Sequence, residues 1–481
     1  MTETHRNYVD GEWIESETGD TYEVRNPADT TEVVGKYQSS SVADAEAAVA
    51  AADAAADDWA DTPGPERGGL LREAAKIMED RYDELAETLV REEGKTLGEA
   101  DVGRSIDIFY YYAEKARDMG GVLKQPSVDG QNLYTIKEPL GVAGLITPWN
   151  YPSAIPAWKI GPALATGNTV VIKPASVAPG PVRQIVACLE EAGLPAGVVN
   201  YVTGGGSTVG DTFTTHEDVD VVSFTGSASV GNTVYEAATG DQKRVQCEMG
   251  GKNPTVVTDS ADIEEAADIV GSGAFGVTGQ ACTACSRAIV YEDVYDEFVD
   301  ALIAYAEGLE TGPGLENPDM GPHVTGSELE GTLDYIEVGQ TEGAELVAGG
   351  SELTEGEYAN GHFVEPTVFA GVEQNMRLFQ EEIFGPVVGV TKVGGYEEAI
   401  AAANNVQYGL SASIVTEDHT EANRFIEESE SGVAKVNDET TGLELHVPFG
   451  GYKRSSTNTY REQGDAAVDF YTSIKTVYDS F

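Results

Sequence analysis

Four short apolar runs, at 142–147, 169–173, 198–202 and 219–224, constrain this chain more than any other feature. Each is followed by a turn or a helical stretch such as 181–192. Runs of five or six residues rich in Val and Ile, without polar alternation, are strands buried on both faces. Strands that alternate with helices wind into a doubly wound parallel sheet, which binds ligands beyond the C-terminal ends of its strands. A second α/β region is expected from near Gly251 to about His446. The fold class is therefore α/β, with a Rossmann-like parallel-sheet domain and a second α/β domain. Upstream, residues 8–13 and 25–27 read as strands and turns, and helices are expected at 42–60, 66–93 and 98–119. The aromatic run 109–112 reads as core packing. Residues 204–210, Gly-rich but lacking the Lys of a phosphate-cradling loop, read as a plain loop.

Length and charge narrow the function. The 481 residues imply two or three domains. The chain carries 82 acidic and 29 basic side chains, a formal net charge of −53. A phosphate backbone or an anionic membrane surface would be repelled, so neither nucleic acid nor membrane is expected as a partner. No run approaches the roughly 20 apolar residues that span a bilayer. Residues 1–6 lack a basic start followed by an apolar stretch, so no signal peptide is expected and a cytoplasmic location is. Self-repulsion on this scale opposes compaction, and at molar salt a Debye length of about 3 Å screens it. The expectation is a halophilic, archaeal source with a salt-rich cytoplasm. Four cysteines, Cys188, Cys247, Cys282 and Cys285, suit a reducing compartment. Cys282 and Cys285 form a C-x-x-C, but no second ligand pair completes a zinc site, and no metal is expected. Two readings remain for Cys282: a lone nucleophile, or half of a dithiol redox centre.

Three motifs carry chemistry: Pro-Trp-Asn-Tyr-Pro at 148–152, Cys-Glu-Met-Gly-Gly-Lys at 247–252 and Gly-Gln-Ala-Cys at 279–282. A thiol, a carboxylate and an amide donor are the parts needed to oxidise an aldehyde through a covalent thioester. Cys282 is the candidate nucleophile, aided by backbone amides and a helix expected after it. Glu248 is the candidate general base for hydrolysis. Asn150, with the Cys282 amide, would form an oxyanion hole, in which one donor is worth about 3 kcal/mol.

In order and spacing these motifs resemble the aldehyde dehydrogenase superfamily, over nearly the whole chain. The resemblance implies an NAD(P)-binding domain at 1–122 and 140–250, a catalytic domain at 251–446, and a small β oligomerisation arm at 123–139 and 447–481. Within that arm an edge strand near 470–478 would pair with another subunit of a homodimer or homotetramer. The resemblance also implies cofactor contacts. Gly226, Ser227 and Gly231 would form the pyrophosphate turn, and Lys173 would reach the adenosine ribose. Glu382 would hold the nicotinamide ribose with Phe384 against the ring, and Trp149 would also contact the cofactor. NAD-preferring members often carry Glu where this chain has Ser176, so NADP is expected to be accepted and preferred over NAD. Arg287 completes the thiol motif, and 448–453 matches a loop near the site. Glu248 is missing from relatives that acylate coenzyme A, so water is the expected acceptor and the enzyme non-acylating.

Residues 276–287 and the tail 461–472 look most like enzymes that oxidise 2-oxoglutarate semialdehyde (2,5-dioxopentanoate) in pentose degradation. Succinate-semialdehyde enzymes place Arg where this chain has Trp158. Betaine-aldehyde and general aliphatic aldehyde oxidation remain alternatives, as does a non-catalytic binding protein on the same fold. The carboxylate anchor that an anionic substrate needs is not legible. Arg461 is a candidate outside the site set, beside a stretch, 455–460, that has one residue more than the group it resembles.

Overall fold

The computed structural model describes residues 2–480. The first sheet runs in the order Arg244–Glu248, Val221–Thr225, Val142–Ile146, Thr169–Lys173, Val199–Tyr201, Asn7–Val9 and Glu12–Ile14. Its first five strands are parallel, and the two N-terminal strands close it antiparallel. The central strands Val142–Ile146, Thr169–Lys173 and Val221–Thr225 are buried throughout, as their β-branched composition demands. From Val142–Ile146 the chain winds first to Thr169–Lys173 and Val199–Tyr201, then crosses to Val221–Thr225 on the other side. Winding reverses there, which leaves a crevice beyond Ile146 and Thr225.

The second sheet has the order Glu345–Ala348, Thr367–Ala370, Val387–Val393, Cys285–Tyr291, Asn253–Val257, Ser411–Val415 and Val433–Val436. All its pairs are parallel except that of Glu345–Ala348 with Thr367–Ala370. Residues 249–252 join the sheets directly, running from the C-terminus of Arg244–Glu248 to the N-terminus of Asn253–Val257. In a third, antiparallel sheet the central strand Gln131–Pro139 pairs with Thr472–Ser480 on one side and Leu123–Lys124 on the other. This sheet leaves Leu123, Ile474 and Tyr478 76%, 68% and 69% exposed.

Helices flank the first sheet. Ala154–Thr166 is buried along its whole length, Lys159 included, and packs against Val102–Lys115. Phe109 and Tyr112 are core, and Tyr110 donates to Glu79. Some local expectations need correction. The helix expected over 66–93 is two, Gly64–Asp80 and Tyr82–Glu93, broken at Arg81, whose φ of −109° and ψ of 15° leave the helical region. The helix expected from 98 begins at Val102, after a short 3₁₀ turn at Leu97–Glu99. The loop expected over 204–210 coils into a π-turn at Gly206–Gly210.

Ion pairs such as Arg6–Glu15 and Arg424–Glu428 lie on the surface, and with 82 acids against 29 bases most carboxylates have no basic partner. Screening must therefore carry much of the stability. Raising KCl from about 0.1 M to about 1 M cuts the Debye length from ~10 Å to ~3 Å. The melting temperature is expected to rise over that interval, and a flat or falling melting temperature would contradict it.

Candidate active site

The crevice of the first sheet faces the N-terminal ends of the second, and Cys282 lies where they meet. The helix expected after Cys282 does not form. A turn over 281–284 leads straight into strand Cys285–Tyr291. The β-branched run Ile289–Val290 and the apolar neighbours of this strand make it central sheet. The turn before the thiol is unusual: Val277, Thr278 and Gly279 all take positive φ, of 52°, 56° and 65°. Left-handed backbone is costly for both Val and Thr, which are β-branched. It is held from several sides. Val277 N donates to Glu99 Oε1 (2.5 Å) and Thr278 Oγ1 to the Gly321 carbonyl (3.0 Å). Fully buried Gln280 accepts from Val324 N at 3.1 Å. A methyl on Gly279 would overlap the Gly385 carbonyl. Beyond the thiol, Asn253 Nδ2 donates to the carbonyls of Cys282 (2.8 Å) and Ala284 (2.9 Å).

Two cavities meet at Cys282. The larger, about 220 Å³, is walled by Trp149, Asn150, Gly226, Ser227, Glu382 and Phe384 among others. The smaller, about 130 Å³, is walled by Arg104, Tyr151, Ile155, Trp158, Thr283, Leu443 and Phe449. Cys282 lines both, and no other described residue does. Asn150 Nδ2 donates to the Gln280 carbonyl at 2.9 Å, and Lys95 Nζ donates to the Asn150 carbonyl at 2.6 Å. The amide is thus fixed beside the thiol turn. Cys285 points into the core beside Thr255 Oγ1, at 3.3 Å, and all four cysteines are free.

Glu248 ends its strand one step from the cavities. Its carboxylate accepts from Gly451 N and Ser456 Oγ, each at 3.0 Å, and lines neither cavity. Burial first, then the charge of Glu462, push its pKa well above the ordinary carboxylate value. Glu462 in turn pairs with Lys159, which also donates to Ser223 Oγ at 2.7 Å. Burial, followed by Glu382, Glu248 and Glu462, pushes the Cys282 thiol up to about 12. These influences favour the thiol over the thiolate, and the Cys282 amide acts the other way.

The residues expected to hold a dinucleotide form two groups. Ser227 caps the helix Ala228–Gly240 and accepts from Val230 N, so the remaining amides of that first turn face outward beside Gly226. Gly231 packs where a side chain would overlap Met249. Trp149 and Phe384 meet edge to face, 5.4 Å apart, at the mouth. Glu382 accepts from Gly251 N at 2.8 Å, and burial raises its pKa to about 7. The second group is Lys173 and Ser176, which both donate to the Gly204 carbonyl, at 3.5 and 3.2 Å. Lys173 also donates to the Pro174 carbonyl at 2.7 Å, and burial without a carboxylate partner lowers its pKa to about 8. Free helix-end amides and an aromatic pair at the larger cavity fit a dinucleotide, whereas Lys173 and Ser176 lie outside that cavity, Lys173 ending the strand beside Ile146.

Arg287 serves the scaffold. It is buried and donates to the carbonyls of Lys252, Ala402 and Ala403. Arg461 is not at the smaller cavity. It donates to the Gly451 carbonyl (2.5 Å) and stacks on Tyr452. Sequence reasoning missed Arg104, Lys159 and Glu462. A single Lys in an otherwise apolar helix was the available signal for Lys159.

A parallel sheet with a crevice at its switch point, joined to a second sheet that carries a pinned thiol, defines an α/β enzyme working between a cofactor cleft and a substrate pocket. A family model described as the aldehyde dehydrogenase family matches residues 13–477, and the chain belongs to that family. It is an oxidoreductase of that class. It is 62% identical over 484 residues, covering 100% of each chain, to a Haloferax volcanii protein named alpha-ketoglutarate semialdehyde dehydrogenase. It is 44% identical, over 98% of each chain, to a Saccharolobus solfataricus protein named 2,5-dioxopentanoate dehydrogenase. Among solved structures, Staphylococcus aureus betaine aldehyde dehydrogenase in complex with NAD+ superposes with a TM-score of 0.95 at 34% identity, covering 99% of this chain and 94% of that one. A Bacillus cereus aldehyde dehydrogenase in an NAD+ complex gives 0.95 at 36% identity, over 99% and 97%.

The charges around the thiol make a direct prediction. Alkylation of Cys282 by iodoacetamide needs the thiolate, so its rate should rise with pH into the alkaline range. Glu462→Gln removes one of the negative charges that raise the thiol pKa. The rising limb should then move to lower pH. An unmoved limb, or one moved upward, would contradict the assignment.

Proposed function

We propose that the enzyme oxidises 2-oxoglutarate semialdehyde to 2-oxoglutarate with NADP or NAD, through a thioester on Cys282. One observation carries this reading: Cys282 alone among the described residues lines both cavities, so an aldehyde entering from the smaller one meets the thiol at the edge of the cofactor crevice. The names of the relatives above support the substrate.

The steps follow from the side chains. Cys282 gives up its proton to water, and its Sγ bonds the aldehyde carbon, turning the carbonyl into an oxyanion that re-forms the C=O, as a thioester, when hydride leaves that carbon. The second N–H of Asn150 Nδ2, the first being held by Gln280, stabilises that oxygen together with the Cys282 amide. When bound, the nicotinamide supplies the hydride acceptor that the oxidation requires. Glu248, released from Gly451 and Ser456, takes a proton from water as the water oxygen attacks the thioester carbon. The C–S bond breaks, the thiolate is restored and the free acid leaves. The raised pKa of Glu248 suits a base that must first be held near an acidic neighbour and then accept a proton.

Lys173 supports use of NADP. It is a buried cation with only carbonyl partners, and Ser176 beside it brings no negative charge against a 2′-phosphate. The arm sheet supports a homodimer or homotetramer, because its edge strand Thr472–Ser480 has one free side and exposes Ile474 and Tyr478.

A panel of aldehydes assayed with both cofactors in high KCl tests the reading. The highest kcat/KM is expected for 2-oxoglutarate semialdehyde, with NADP at least as good as NAD. Ser176→Glu should lower the NADP-to-NAD ratio by at least roughly tenfold, since like charges would then oppose each other. A higher efficiency with NAD in the unaltered enzyme, or an unchanged ratio in the variant, would overturn the NADP assignment.

A further inference from the structure

The smaller cavity holds two donors that no described residue satisfies. Arg104 lies in the first turn of helix Val102–Lys115 and forms part of the wall. Its Nη2 is buried and has no hydrogen-bond partner. The acids that act on it, Glu444, Asp101 and Asp107, do so only through space. Asp101 is already engaged by the amides of Ser153 (3.2 Å) and Ala154 (2.6 Å) and by Lys95 Nζ at 3.5 Å. Across the same cavity Trp158 is 6% exposed, and its indole Nε1 is likewise buried without a partner. The rest of the wall is Tyr151, Ile155, Cys282, Thr283, Gly442, Leu443 and Phe449, and it contains no carboxylate.

An unsatisfied buried donor costs about 1–3 kcal/mol, and more if it is charged. A chain with 82 acids has no shortage of acceptors to pair a guanidinium with, yet this one is left open beside the nucleophile. Arg presents several N–H groups in a planar fork that matches a carboxylate. Trp offers a single N–H donor, which suits one further oxygen. A cationic substrate would face the guanidinium and find no anion on the wall, and an uncharged aliphatic aldehyde would leave both donors unpaired.

We propose that Arg104 is the carboxylate anchor of the substrate pocket, with Trp158 Nε1 as its second donor, so that the enzyme selects short aldehydes whose far end is a carboxylate. The inference rests on the proposed oxidation of an oxo acid and names the residue that selects it. It replaces Arg461, which the fold commits to Gly451 and Tyr452.

The test is a selectivity ratio, kcat/KM for 2-oxoglutarate semialdehyde divided by that for pentanal, measured in high KCl. R104Q should lower the ratio roughly 100-fold, chiefly through KM for the anionic substrate, as expected when one partner of a buried charged contact is removed. W158F should lower it less, by about tenfold, at the low end for one hydrogen bond to a charged group. R104K keeps the charge but loses the fork, and its ratio should fall between those of the native enzyme and R104Q. If R104Q does not fold, the R104K ratio decides. A native enzyme that favours the anionic aldehyde, with a ratio unmoved by R104Q and R104K, would overturn the anchor and leave the substrate reading standing. A native enzyme with no preference for the anion over pentanal would overturn the substrate reading and the anchor with it.

Discussion

The site depends on three consecutive residues held in left-handed backbone, Val277, Thr278 and Gly279, that turn the chain from helix Ile263–Phe275 to the thiol. Only Gly takes this conformation freely, so Val and Thr store strain that the surroundings must sustain. Glu99, Gly321, Val324 and Asn253 supply the restraining bonds, and they come from widely separated parts of the chain. Without that clamp the chain would relax, and Cys282 would not stand at the junction of the two cavities. The two sheets play complementary parts here. One offers strand C-termini, with Asn150 and Ser227 just beyond them. The other offers strand N-termini, with Cys282 and Phe384 just before them.

Charge works in opposite senses inside and outside. The surface carries a large excess of carboxylates in water. Near the thiol, burial first and then the carboxylates Glu382, Glu248 and Glu462, acting at low dielectric, favour the protonated Cys282. A resting thiol resists adventitious oxidation and alkylation, since the thiolate is the reactive form. Glu248 and Glu382 have raised affinities for protons, so a proton leaving the thiol or the water has acceptors within the site. The lone cation of the smaller cavity, Arg104, stands out against this acidic background.

Legibility in the sequence followed the range of the interactions involved. The first sheet was readable because each central strand is a contiguous apolar run bounded by turns, and its neighbours in sequence are largely its neighbours in space. Cys282, Glu248 and Asn150 were readable because each sits in a short motif with a resembling pattern. The segment after Cys282 was misread as helix because the turn signal at 281–284 is weak and the strand after it declares itself only through its partners in the second sheet. Glu462 and Lys159 are 303 residues apart, and no local pattern connects them. Arg104 was hidden for a different reason. An arginine in the first turn of an amphipathic helix looks like surface until the fold brings Trp158 and Cys282 to the same cavity.

The central claim is that the aldehyde carbon becomes bonded to the sulfur of Cys282. It is tested most directly by trapping the acyl-enzyme. Glu248→Gln, which lacks the proposed base for hydrolysis, is mixed with 2-oxoglutarate semialdehyde and NADP, quenched in acid, and analysed by peptide mapping with fragmentation that separates position 282 from 285. A stoichiometric acyl adduct on Cys282 is predicted, accompanied by one equivalent of reduced cofactor. An adduct on Cys285, or reduced cofactor formed with no adduct while turnover continues, would contradict it.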